Sequence, residues 1–296
     1  VQFEIDEEGR VATPAVTGAT HGAFVPAALA ALRKWKFRPA MQGDLPVRAK
    51  QGARLEFTAS EVSVERGLVL ERLEPHGIRP RGVEEGQSPP WTTEPRLRRS
   101  VDPVHPYELA VAGVTGEAEV EFTVTAGGSV TEARIVSASQ PEFGQALLAA
   151  VEQWGFAPAR KDTETVAAAL RVKRVFDDPR ASGRPDAALW KRVSEGEVLG
   201  GARGLDRRLR PVFQVSPGYP AQLLDERPAG EAKLEFVIDR EGVARLVRVV
   251  SASHEAFGYA AAVALSLWCF DPPTRNGEPV EARVSVPFNF APPKPE

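Results

Sequence analysis

The sequence predicts an α+β protein of three tandem small modules, each an antiparallel three-stranded sheet covered on one face by a helix. Three observations carry that expectation. A shift of 114 residues lays Phe122, Gly128, Arg134, Trp154, Phe156 and Pro158 on Phe236, Gly242, Arg248, Trp268, Phe270 and Pro272 without a gap. A second shift, of 119, carries Phe3, Gly9, Trp35, Phe37 and Pro39 onto Phe122, Gly128, Trp154, Phe156 and Pro158. Within each copy the apolar period changes from two to about 3.6 and back to two, the pattern of strands around a helix.

The elements follow in order as β-β-α-β with a short leading helix. Leads at 102–109 and 216–224 align His105-Pro106 with Tyr219-Pro220; the first copy starts without one, so the chain reads as part of a longer polypeptide. The first strand alternates, with Ala118, Val120, Phe122 and Val124 on one face and Glu117, Glu119 and Glu121 on the other. Gly9, Gly128 and Gly242 supply the positive φ of a hairpin turn into a second strand. The spacing of Phe143, Leu147, Ala150 and Trp154, and of its counterparts in the other copies, predicts an amphipathic helix. The last strand alternates again over 47–57, 166–176 and 279–290. The resulting domains are 1–59, 102–177 and 215–292, separated by a Pro-rich linker at 60–101 and a basic linker at 178–214. Within the second linker, 186–199 is expected to form a short helix that packs Trp190 on a neighbouring module. Modules this small bury little, so their Trp and Phe residues are structural first: losing one costs about 3–5 kcal/mol against a total of about 5 kcal/mol.

Composition narrows the function. With 43% hydrophobic and 26% charged residues the chain is neither disordered nor collagenous, and its single cysteine, Cys269, cannot form an internal disulfide and reads as core filler. No stretch approaches the length of a membrane-spanning helix. A net charge of −3 gives no reason to expect nucleic acid. By segment the charge is −5 for 102–177, +3 for 178–214 and −3 for 215–296, and basic runs at 95–100 and 205–211 precede copies two and three. These arginines are expected to solvate a spacer or to pair with the acidic modules beside it, an anionic surface being the alternative.

Taken together, the His/Tyr-Pro lead, Phe-x-apolar-x-x-x-Gly, the Val-Ser-Ala-Ser strand end (136–139, 250–253), Trp-x-Phe-x-Pro and Asn276-Gly277-Glu278-Pro279-Val280 resemble the C-terminal domain of TonB-family energy transducers. The resemblance implies a periplasmic domain that couples inner-membrane proton motive force to outer-membrane transport, capturing an extended segment of an outer-membrane or envelope protein by adding it to a sheet edge. It places the partner-binding edge on the last strands, at Val280, Ala282, Val284, Val286 and Phe288, at Val166, Leu170 and Val172, and at Val47 and Leu55. Pro287 within one of them suits an edge while removing a donor. Anchoring to the inner membrane would come through a segment absent from this chain. Three copies in place of one depart from the usual transducer. They leave open a periplasmic scaffold without energy coupling, or the binding tail of an upstream membrane enzyme or sensor. Arg174 stands where Leu55 and Phe288 stand in the other copies, and a splayed strand end is expected there.

Catalysis is not expected, nor is any cofactor or metal. His21, His76, His105 and His254 share no spacing suited to a metal, and His21 and His254 read as solvated loop residues. Ser137, Ser139, Ser251 and Ser253 have no histidine at a repeated distance and read as turn formers. The Gly-rich stretch 200–204 lacks the strand before it and the Lys-Ser/Thr after it that a phosphate loop needs.

Overall fold

The computed structural model describes residues 1–19, 24–43, 45–55, 76–83, 87–184 and 186–293. His21, residues 56–59 of the first module and 60–75 of the first linker lie outside them. The helices are α1 (Phe24–Lys34), α2 (Tyr107–Ala112), α3 (Pro141–Val151), α4 (Ala187–Ser194) and α5 (Glu255–Ser266). Among the described residues none is long and apolar enough to cross a membrane.

The chain is a mixed α+β protein of small antiparallel sheets. In copy three the strand Gly230–Ile238 is central, with Ala244–Ala252 on one side and Ala282–Phe290 on the other. Ala232, Leu234, Phe236 and Ile238 turn one face toward α5 and close a core with Phe257, Leu265, Trp268, Phe288 and Phe290. Copy one repeats this order on shorter strands, Gln2–Ile5 between Val11–Ala15 and Ala49–Gly52. Copy two departs from the expected three strands. Its central Gly116–Val124 is flanked by Val130–Ala138 and Ala168–Phe176, and Ile78–Pro80 adds a fourth strand outside the last one.

One turn recurs in all copies. Gly128 has φ +88°, and a Cβ there would lie 2.1 Å from the Phe156 carbonyl oxygen; Gly9 and Gly242 repeat both features. The close approach lets the Phe156 amide donate to the Gly128 carbonyl at 2.9 Å, stitching the hairpin to the Trp-x-Phe segment.

The two linkers are not free spacers but pair with the modules they join. Arg96–Arg99 pairs with Gly155–Ala157, and Pro211–Phe213 pairs with Cys269–Phe270. The indole Nε1 of Trp154 donates to the Val101 carbonyl at 2.9 Å, and Trp268 does the same to Val215. Ile78, Trp91, Leu97 and Val101 join the copy-two core. Proline and arginine density suggested a spacer because a strap needs only alternate residues buried; in Arg96–Arg99 only Leu97 is. The basic runs are engaged locally, with Arg99 donating to the Gln153 carbonyl and Arg210 to Asp271.

Copies two and three pack through reciprocal contacts. Helices α3 and α5 lie against each other, α2 packs on the copy-three strand Ala244–Ala252, and the matching turn Ala221–Leu223 packs on the copy-two strand Val130–Ala138. Arg248 pairs with Glu108 at 2.7 Å and lies over the Tyr107 ring. Helix α4 lies within the expected 186–199 and packs Trp190 against Tyr107, the rings tilted with centroids 5.0 Å apart. Copy one meets copy three through Val25, Ala28 and Leu29 of α1, which bury Val212 and Cys269. Cys269 is therefore filler between modules as well as within one, and burial pushes its thiol up to about 12.

Candidate functional site

A sheet exposes its unpaired amides and carbonyls at its margins, and the direction of those groups decides what can be added there. In copy three the first part of the last strand is engaged. Leu199 bridges it in parallel, donating to the Glu281 carbonyl at 3.1 Å and accepting from the Arg283 amide at 2.8 Å. Glu281, buried beside it, takes ion pairs from Arg192 at 2.8 Å and Arg240 at 2.9 Å. Because backbone polarity alternates along a strand, residues 283, 285, 287 and 289 face outward and 282, 284, 286 and 288 face the central strand.

That alternation sorts the predicted site residues. Ala282, Val284, Val286 and Phe288 turn side chains to the core and backbone groups to Gly230–Ile238. The outward groups belong to Ser285, Pro287 and Asn289, all with exposed side chains. Among the described residues nothing pairs with this outer side beyond Arg283. Pro287 sits in an outward place, so the open margin carries donors at Ser285 and Asn289 only. Val280 precedes the strand and its amide donates to the Pro273 carbonyl. Val166 and Val47 belong to short hairpins, opposite Ala159 and Ala40. Leu55 is half-buried, in a stretch where the chain end Val1 donates to the Ala53 carbonyl.

Leu170 and Val172 are buried in copy two, where the same parity holds, since the Ala169 carbonyl faces out to accept from Arg81 at 2.9 Å. Here the margin is occupied. Leu170, Arg171 and Val172 stand opposite Pro80, Arg79 and Ile78 in antiparallel register. Beside them runs a ladder of charge on the solvent face. Glu119 faces Arg79 at 2.5 Å, while Glu121 faces Arg81 at 3.2 Å and Arg171 at 3.3 Å and also meets Arg134. Burial works against ionisation of Glu121, but the guanidiniums of Arg134 and Arg171 prevail and hold its carboxyl below the usual range.

The Arg174 strand end is not splayed. Ala168–Phe176 pairs with the central strand along its whole length, Arg174 opposite Ala118 and Phe176 opposite Gly116. Among the described residues its guanidinium meets no carboxylate either. It lies 5.6 Å from the Trp154 ring centre, and Nη1 donates to the His76 carbonyl. Burial lowers its pKa, with Asp102 opposing.

Four of the residues weighed for catalysis, Ser139, Ser253, His254 and His105, have structural roles. Ser139 and Ser253 each accept from and donate to the central strand, at Glu117 and Glu231, tying the hairpin's end to its neighbour. His254 is exposed and caps α5, its Nδ1 accepting from the Ala256 amide at 3.1 Å. His105 fills the slot that Tyr219 fills in copy three, edge-on to Phe143 and Phe176, and burial lowers its pKa. A cleft of about 1200 Å³ opens where the three copies meet, lined by both signs of charge, Arg33, Arg174 and Arg245 with Asp102, Asp186 and Glu241. It lies away from the open margin of copy three.

Repeated β-β-α-β modules that present strand margins, with their polar side chains engaged in the fold, define a class of protein-binding domain. The chain belongs to the family described as the Gram-negative bacterial TonB protein C-terminal domain, whose model matches residues 1–59, 101–177 and 215–292. Membership ties it to protein binding in envelope energy transduction. No curated protein matches it in sequence. A similar solved structure is the solution NMR structure of the Pseudomonas aeruginosa TonB C-terminal domain, 23% identical over 28% of this chain and 83% of that one, with a TM-score of 0.24. At that score the likeness carries no argument.

Proposed function

We propose that this chain is a non-catalytic periplasmic binding protein that pairs an extended segment of an envelope partner with the open outer margin of a last strand. In this reading it couples proton motive force to outer-membrane transport, held at the inner membrane by a segment beyond this chain. The supporting observation is the copy-two margin, which carries an added antiparallel strand with its side chains alternately buried and ion-paired. That is strand addition accomplished within the molecule. Family membership supports the envelope setting.

The test lies at Ser285. Proline there removes one of the outward donors and places a ring on the margin; proline at Val284 would instead break the internal ladder. A photo-crosslinker at Asn289 is expected to trap a discrete envelope protein in cells, and Ser285→Pro to cut that yield about tenfold with the fold intact. An unchanged yield ends the margin-pairing reading. Dissipating the proton motive force should alter the yield; indifference to it favours the second reading, an adaptor without energy coupling, which the tight packing of copies two and three also favours.

A further inference from the structure

We propose that residues 77–81 are a resident ligand of copy two, and that their pattern, an apolar residue followed by arginines two apart, defines the extended segment this margin accepts. The inference rests on the strand-pairing reading.

The sequence of contacts has the character of recognition rather than of a passing connection. Ile78 is 3% exposed and enters the copy-two core, while Arg79 and Arg81, on the other face, reach Glu119 and Glu121. Backbone pairing fixes the register, and the alternate side chains read the identity of the strand. Pro80 occupies a place where its nitrogen points away from the ladder, since the outward residue Ala169 bonds to Arg81 and the parity alternates. A missing donor there costs no pairing and leaves the new margin unable to recruit a further strand.

Arg174 ties this arrangement to one copy. Copies one and three hold Leu55 and Phe288 at its position, and only in copy two does a half-buried guanidinium reach across to the His76 carbonyl, two residues before the added strand. One of the two acidic partners is also particular to copy two, since Glu121 has its counterpart in Glu235. By the 114-residue shift Glu119 corresponds to Lys233, so an arginine seated as Arg79 is would meet like charge in copy three. The two margins therefore read different segments, one basic and supplied by the chain itself, the other open from Ser285 onward.

Tethering explains why the occupant stays. Residues 82–91 join it to the strap that is bound to copy two, and a short tether gives an effective concentration on the order of millimolar. A free peptide of the same sequence cannot compete at micromolar levels until the resident strand is released.

The experiment uses the isotope-labelled full chain and a synthetic peptide of residues 76–83. In the parent, amides at 169–173 should not shift with micromolar peptide. In the triple variant Ile78→Asp, Arg79→Glu, Arg81→Glu they should shift on binding, and a peptide with glutamate for both arginines should bind about tenfold more weakly. A parent that binds the peptide as the variant does, or a folded variant that does not bind it, overturns the proposal. If the triple variant fails to fold, Arg174→Leu, the residue of copy one, serves instead. It should speed hydrogen exchange at Arg171 and Arg81 about tenfold while leaving Phe122 protected; unchanged exchange overturns the proposal as well. A failed peptide experiment with the Asn289 crosslink intact sinks this inference alone. Loss of the crosslink with peptide binding intact sinks the strand-pairing reading and leaves residues 77–81 as an internal latch.

Discussion

Glu152 follows α3 and accepts from the Ala221 amide of copy three at 3.2 Å. Burial pushes its carboxyl from the ordinary 4.5 up to about 7, with that amide working the other way. The folded chain thus holds the proton more tightly than the unfolded chain. The stabilisation is complete below about 4.5 and is lost as pH rises through about 7. Glu152→Gln keeps an acceptor for Ala221 and removes the titration. Urea unfolding should show the parent weaker at pH 8 than at pH 5 by up to about 3 kcal/mol, less for partial exposure, and the variant level across that range. Equal slopes in the two proteins would dismiss this role. Arg174 shows how far single residues can be read from sequence. Its misfit with the repeat was visible, but its partner is a carbonyl 98 residues away, which no local pattern encodes.

At the scale of elements, the straps 91–101 and 205–215 stabilise modules whose three strands and one helix enclose a small core. Each is hooked by an indole N–H. Trp154→Phe keeps most of the buried ring and deletes the bond to the Val101 carbonyl, leaving that acceptor buried and unpaired. A loss of about 1–3 kcal/mol is expected, with the Arg96–Arg99 amides exchanging faster than those of Gly116–Val124. Uniform exchange in both strands would show that the strap does not depend on the hook. Strands and helices were legible because period two and period 3.6 are properties of neighbouring residues, as in Ala118 to Val124 and Phe143 to Trp154. The straps were not, since a short edge strand with one buried residue in four has no period to detect. The short hairpins that hold Val47 and Val166 were merged with the last strands for the same reason: alternation continues across the break between them.

Across the whole molecule, copies two and three share one interface in which each lead packs on the other's hairpin strand, so their stabilities are coupled. Val263 of α5 is 1% exposed and belongs to the copy-two core. Val263→Asp buries an unpaired carboxylate at that contact and should cost about 3 kcal/mol or more. Calorimetry is expected to resolve the joint transition of these copies into two; a single transition at an unchanged midpoint would mean that the copies unfold independently of this contact. The interface also gives the tandem a purpose that beads on a string would lack, because it holds the occupied margin and the open one in fixed relation.

Repetition, strand and helix periods, the glycine turns and the aromatic core were settled by the chain alone, because each depends on neighbouring residues or on likeness between copies. Folding in three dimensions decided which margins are open. Whether Ser285 faces solvent while Arg171 faces Arg79 depends on backbone direction and on residues far apart in sequence arriving at the same edge. Strand pairing is set by that arrival, and the energy that selects it, from a few ladder bonds, one buried isoleucine and two ion pairs, exists only once the segments meet.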